Sequence, residues 1–427
     1  MAATDEVKQP ERPKLIEIMG PGLITGASDD DPSGIATYSQ VGAQFGYGLG
    51  WSLVVTFPLM AAIQEISARI GRVTGRGIAG NLVRHYPRLV VNIAIGLLVL
   101  ANTINIGADL GAMAEGLKLL IGGPSLLYVV GFAAVSVLLE VFVRYSRYVS
   151  VLKYLTLSLL AYVATVFVVG TPWGEVLHSL VLPPIRFEKG YVLAATAVLG
   201  TTISPYLFFW QAEEEVEEEQ EKPEKEPLIK APVQAPGELY RIRIDTVIGM
   251  ALSNLVALCI IVTAAATLNA HGHTNIETAA QAAEALRPVA GPFAFWLFAA
   301  GIVGTGLLAM PVLAGSAAYA LGEAMGWRVG LAQKAGRAPA FYGAIALATL
   351  FGAAMNFSPI DPIKALFWSA VINGIVAVPI MAIMMLMTRR PDIMGEFVLP
   401  GYLRVLGWLA TAAMGATVLA LALTSFM

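Results

Sequence analysis

Long apolar stretches, separated by short polar ones, set the rhythm of this chain. They fall at 18–46, 49–68, 89–114, 125–143, 150–170, 190–211, 243–268, 290–322, 339–356, 362–388 and 402–426. Each is long enough to cross a hydrocarbon core of about 30 Å as a helix. The pattern predicts an all-α polytopic membrane protein with eleven transmembrane helices. Two of these stretches carry a polar interruption at mid-length. In the first it is Ser28-Asp29-Asp30-Asp31-Pro32-Ser33-Gly34, and in the sixth it is Gly200-Thr201-Thr202-Ile203-Ser204-Pro205-Tyr206.

Both interruptions break a helix for the same reason. Pro32 and Pro205 lack an amide proton, so backbone carbonyls are released and need other partners. A carboxylate at mid-membrane costs about 2.5–3.5 kcal/mol on insertion scales, so three consecutive aspartates cannot face lipid. Broken helices at corresponding positions of two repeats are how transporters build cation sites, from carboxylates and unwound carbonyls together. The alternatives are a membrane-edge loop at the first position and a tolerated proline kink at the second. The pairing of the two breaks, five spans apart, favours a site.

Composition agrees with the pattern. Of 427 residues, 57% are hydrophobic and 13% charged, with a mean hydropathy of +0.70, which excludes a soluble enzyme with a single anchor. The net charge of −3 gives no hint of a nucleic-acid partner. The one cysteine, Cys259, rules out a disulfide framework. The polar start, Met1 to Lys14, has no apolar core of a removable signal. Lys118, Arg186, Lys189, Arg287 and Lys364 fall on one side of the expected topology and the other 22 Lys and Arg on the opposite side. The positive-inside rule then places the N-terminus in the cytoplasm and the C-terminus outside.

Several motifs resemble the Nramp divalent-metal transporters. They are Gly20-Pro-Gly, Asp31-Pro32, Ala36-Thr37 and Gln40-x-Gly42-Ala43 in the first span, and Gln64 to Gly75 at the exit of the second. Asp109-Leu110, Arg243-Ile-Asp245 with Asn254, and Met394-Gly-Glu-Phe-Val398 extend the likeness along most of the chain. The resemblance implies a LeuT-like fold of two inverted five-helix repeats, spans 1–5 and 6–10, plus an eleventh helix. The parts are then a cytoplasmic tail at 1–17, a first repeat at 18–170, a second at 190–388 and a last helix at 402–427. It also implies a divalent metal, usually manganese or iron, as transported substrate, usually moved with protons, and no cofactor. The expected metal residues are Asp31, Ser33, Gly34, Thr201, Thr202 and Ser204, supported by Asp30, Tyr206, Asn373 and Asp109.

The departures from the family pattern change the expectation. Asp-Pro-Gly-Asn in the family is Asp31-Pro32-Ser33-Gly34 here, and Met-Pro-His is Ser204-Pro205-Tyr206. Without the soft thioether, an oxygen-only and wider site suits Mg²⁺, which sheds water reluctantly. Tyr206 in place of histidine, and Ala112 in place of an acid three residues after Asp109, remove members of a proton relay. The chain therefore looks closest to the Nramp-related magnesium transporters. The expectation is a plasma-membrane secondary transporter that imports chiefly Mg²⁺, with Mn²⁺ also accepted, by alternating access without obligatory proton coupling. The alternative is a proton-coupled Mn²⁺/Fe²⁺ transporter of the ordinary kind; a remote one is a sodium-coupled organic-solute symporter. An intramembrane aspartyl protease built on Asp31 and Asp109 lacks any surrounding signature, so no enzyme is expected.

The remaining polar features carry weaker signals. Residues 212–240, a glutamate run followed by proline-rich sequence, read as a solvated, flexible cytoplasmic loop, either a helical extension with a tether or a carboxylate patch that concentrates exiting cations. Asn373 reads as an interhelical hydrogen bond or a ligand. Glu65 and Glu140 are expected to be satisfied by neighbours or water. His271 and His273 read as surface loop, and Asp361 with Lys364 as interfacial.

Overall fold

The computed structural model describes residues 20–143, 157–222 and 224–425. The expected N-terminal tail, the start of the fifth span, and Arg144, Arg147 and Lys153 lie outside the described residues. The described chain is helical. The main helices are α1 (Pro21–Asp29), α2 (Pro32–Phe45), α3 (Gly50–Thr74), α4 (Ile78–His85), α5 (Arg88–Ile121) and α6 (Ser125–Phe142). They continue with α7 (Leu160–Val168), α8 (Trp173–Val181), α9 (Lys189–Thr202), α10 (Pro205–Glu221) and α11 (Ala235–Thr267). The last are α12 (Ala279–Glu284), α13 (Ala294–Met325), α14 (Pro339–Met355), α15 (Pro362–Met387) and α16 (Gly401–Ser425).

Among the described residues, eight helical stretches are long and apolar enough to span a bilayer, and nine if the bent pair Leu157–Val168 and Trp173–Val181 is one span. The expected eleven are not reproduced by that measure. The stretch Pro32–Thr74 runs through two expected spans with only the turn Gly46–Leu49 between them, and α14 has 17 residues.

The two breaks form where the prolines dictate. Each proline sits at the first position of the following helix, where a missing N–H costs nothing, and two residues separate it from the end of the preceding helix. That leaves Asp30-Asp31 and Ile203-Ser204 as short extended links inside otherwise continuous spans. Helix α1 is held at both ends. Asp245 on α11 takes the amides of Gly20 (3.0 Å), Gly22 (2.6 Å) and Leu23 (3.1 Å), an anion on a helix N-terminus. Further along, Gly26 meets Gly249 backbone to backbone, an approach that any side chain would block. Gly200 of α9 meets Ala370 and Gly374 of α15 in the same manner. Helix α13 packs along α5, and α10, the second half of one broken span, along α3.

The glutamate run departs most from the sequence expectation. Residues 212–221 continue helix α10, as the helical-extension reading has it, but they are not solvated: Glu213, Glu214, Glu215 and Glu219 are buried. Glu215 and Glu219 meet cations from distant helices. Arg72 of α3, itself buried, binds Glu219 at 3.1 Å and Glu238 at 3.3 Å, and donates to the carbonyl of Glu226 at 2.6 Å. Arg241 of α11 pairs with Glu215 and, at 3.3 Å, with Glu218. Glu217 accepts from Tyr319 and from the Leu331 amide at 2.6 Å. A run that looked like a fringe in solvent is a packed seam between helices.

Candidate functional site

Asp31 occupies the first break and caps α2. Its Oδ1 accepts the Gly34 amide at 2.8 Å and the Ser33 hydroxyl at 2.6 Å. Its Oδ2 accepts Asn105 Nδ2 from α5 at 3.0 Å and the Tyr206 hydroxyl from α10 at 3.1 Å. One carboxylate thus joins both halves of the site: α2 locally, and the second broken span through Tyr206. Asp29, Asp31, Asp109 and Tyr206 are all buried.

The other expected residues separate into two groups. Around the Cα of Gly34 stand Thr201 Oγ1, the Asp29 carbonyl and the Tyr38 ring, each 3.3–3.4 Å from where a Cβ would lie. Thr201 therefore faces the first break across the site. Thr202 and Ser204 instead turn back on their own helix. Thr202 donates to the Val198 carbonyl at 2.9 Å, and Ser204 to the carbonyls of Gly200 (2.7 Å) and Thr201 (3.0 Å). Asp30 stands off to one side with Asp29. Both turn to α11, where the Ser253 hydroxyl reaches Asp29 Oδ2 at 2.5 Å and Asp30 Oδ1 at 3.3 Å. Asn373 is buried beside Gly374, at the point where α15 crosses α9, but its amide has no hydrogen-bond partner, so the expected interhelical bond is not made. Asp109 is likewise buried with neither oxygen hydrogen-bonded, one turn from Asn105 and close enough to feel the Asp31 charge.

Two contributors were not anticipated, Asn105 and Ser253. Each is an uncharged polar side chain in a largely apolar helix, which ordinarily signals packing. The spacing Asn102, Asn105, Asp109 does put three polar residues on one face of α5, and that periodicity was available in the sequence. Of the weaker features, Glu65 is satisfied as expected, by Arg69 at 2.7 Å and Tyr402 at 3.1 Å, whereas both Glu140 oxygens are buried without a partner. Asp361 caps α15 through the amides of Ile363 and Lys364. His271 and His273 line a cavity of about 690 Å³.

Among the described residues, no three His, Cys, Asp or Glu side chains are arranged to hold a metal. A cation between the breaks would draw on the Asp31 carboxylate with hydroxyl and carbonyl oxygens such as Thr201 Oγ1 and the Asp29 carbonyl. That donor set is hard, as Mg²⁺, Ca²⁺ and Mn²⁺ prefer.

Comparisons with known proteins fit this geometry. The family profile described as "Nramp: Natural resistance-associated macrophage protein-like" matches residues 22–424. A curated relative, the divalent metal cation transporter MntH of Klebsiella pneumoniae (strain 342), is 27% identical over 403 residues, covering 93% of this chain and 91% of its own. A crystal structure of a mutant manganese transporter from Eremococcus coleocola superposes with a TM-score of 0.73 at 17% identity, covering 93% of this chain and 84% of that one. MHP1, a nucleobase-cation-symport-1 family transporter in a closed conformation, gives a TM-score of 0.56 at 15% identity over 95% of this chain and 93% of its own. At those identities the two structures speak to the fold alone.

Proposed function

This chain belongs to the Nramp family, and from that membership we propose that it carries divalent metal cations across the plasma membrane by alternating access, with Asp31 as the central ligand. The observation that carries the reading is Asp31 itself, placed at one helix break and tied to the other through Tyr206. The cation is substrate and not a resident cofactor. The loops rich in Lys and Arg are taken to face the cytoplasm.

Two cations compete within this reading. Membership of the family and the relative's name as a divalent metal cation transporter weigh for the proton-coupled Mn²⁺/Fe²⁺ alternative over the magnesium expectation. Asp109 supports that alternative, because a carboxyl inside the membrane beside the metal ligand can carry a proton. The oxygen-only surroundings of Gly34 and Thr201 favour the second reading, Mg²⁺ without obligatory coupling. We give precedence to Mn²⁺, with Mg²⁺ admitted. Proteoliposomes holding a pH-sensitive dye together with Mn²⁺- or Mg²⁺-sensitive dyes decide the matter. Mn²⁺ entry with acidification establishes the coupled form, Mg²⁺ entry without proton movement establishes the other, and entry of neither refutes divalent transport.

A further inference from the structure

A carboxylate has about four lone-pair positions. At Asp31 the amide of Gly34 and the hydroxyls of Ser33 and Tyr206 fill three of them, and the amide of Asn105 fills the fourth, all within 3.1 Å. In this arrangement no lone pair is left for a cation. The two sets of donors differ in origin. Ser33 and Gly34 belong to α2, so they travel with Asp31 wherever that half-helix goes. Asn105 and Tyr206 come from α5 and α10, and they meet on the same oxygen, Oδ2. A cation that coordinates Oδ2 must displace one or both of them.

We propose that Asn105 and Tyr206 form a clasp that takes the place of the cation on Asp31 Oδ2, and that this clasp lets the unloaded carrier close and return across the membrane. The inference rests on the transport reading above and gives Asn105 and Tyr206 a role in the unloaded step of that cycle. Burying a carboxylate without partners costs several kcal/mol, so a carrier whose only neutralising partner is its cargo cannot close once the cargo has left. The clasp removes that barrier, because its N–H and O–H groups satisfy the oxygen that the cation vacates. It also bridges α5, α2 and α10, so closing the clasp draws the second broken span onto the first. Asn105 is braced for this from behind: one turn earlier on its helix, Asn102 donates to the Leu313 carbonyl and to Ser316 of α13, both at 2.8 Å. Asn105 and Tyr206 are positioning residues in this scheme, not ligands.

The clasp predicts different effects on two modes of transport. Net uptake into vesicles free of cation requires the unloaded return, whereas exchange of radiolabelled Mn²⁺ with saturating Mn²⁺ on both sides does not. Tyr206→Phe and Asn105→Leu should slow net uptake about tenfold, as expected for a lost hydrogen bond to a charged group, and slow exchange by a clearly smaller factor. Equilibrium binding of Mn²⁺ should tighten in both variants, since a competitor for Oδ2 is gone; a misfolded variant would bind less. Tyr206→His, which offers a ring N–H donor in place of the hydroxyl, should retain more net uptake than Tyr206→Phe. Equal loss of net uptake and exchange, weaker binding, or no change in either mode overturns the clasp while the transport reading stands. A wild-type protein that moves no Mn²⁺ or Mg²⁺ in either mode overturns both.

Discussion

Asp31 is the residue on which the site depends. With its carboxylate removed, the hydroxyl of Tyr206 and the amide of Asn105 lose their shared acceptor, and no other carboxylate takes its place between the breaks. Asp31→Ala is expected to reduce Mn²⁺ and Mg²⁺ uptake to background in proteoliposomes while the protein still elutes as a single peak in size-exclusion chromatography. Gly34 tests the space beside it. A Cβ there would lie 3.3 Å from Thr201 Oγ1 and 3.4 Å from the Asp29 carbonyl, tight enough that neighbours must shift. Gly34→Asn is therefore expected to lower the uptake rate several-fold by crowding the oxygens available to a cation, read as a fall in maximal velocity. Both positions were visible in the sequence, because proline and three acids in an apolar stretch have few structural explanations. Asn105 was legible only as part of the Asn102, Asn105, Asp109 face, and Ser253 was not, because an uncharged polar residue in a membrane helix looks the same whether it packs or positions a ligand.

At the scale of elements, the sequence announced the broken spans and misrepresented the glutamate run. Pro32 and Pro205 act through their own covalent geometry, so their effect can be read locally. The placement of Glu215, Glu217 and Glu219 depends on Arg241, Tyr319 and Arg72, which lie on other helices and leave no trace in the local pattern. Charge runs read as solvated unless the partners are known. The consequence is a stability prediction. Arg241→Leu leaves Glu215 and Glu218 without their guanidinium in a buried seam, and losing one partner of such a pair costs about 3–5 kcal/mol. A clear drop in melting temperature in detergent, well beyond any shift from Asp31→Ala, is the expected result.

At the scale of the molecule, segments far apart in sequence gather at one end. Arg72, Glu219, Gln234 and Glu238 are bonded together, Glu217 reaches Leu331, and Arg390 donates to the His85 carbonyl at 3.1 Å. These are loops that the charge count assigned to a single side. At the opposite end, Gln40 bonds the Ile276 amide at 2.9 Å, beside Lys364 and Gly190. Single cysteines at Lys222 and Arg287 are therefore expected to react from opposite faces of the membrane. In intact cells, a membrane-impermeant maleimide should label the variant at 287 and spare the one at 222; the reverse would invert the topology. The native Cys259 is buried and contributes little background.

The short helix α1 adds a mechanical consequence. The chain break at Asp30-Asp31 outlines it as a loose nine-residue piece, the natural candidate for a swinging gate. Its attachment to α11 says otherwise. Asp245 clamps three amides at its start, and Gly26 is seated on Gly249 further along, so the two helices share a surface with no side chains to slide on. The smallest body that can move without tearing these contacts is the pair, door and frame post together. A rotation that opens the site at α1 then carries 33-residue α11 with it, and Ser253, riding on that helix, keeps hold of Asp29 through the stroke.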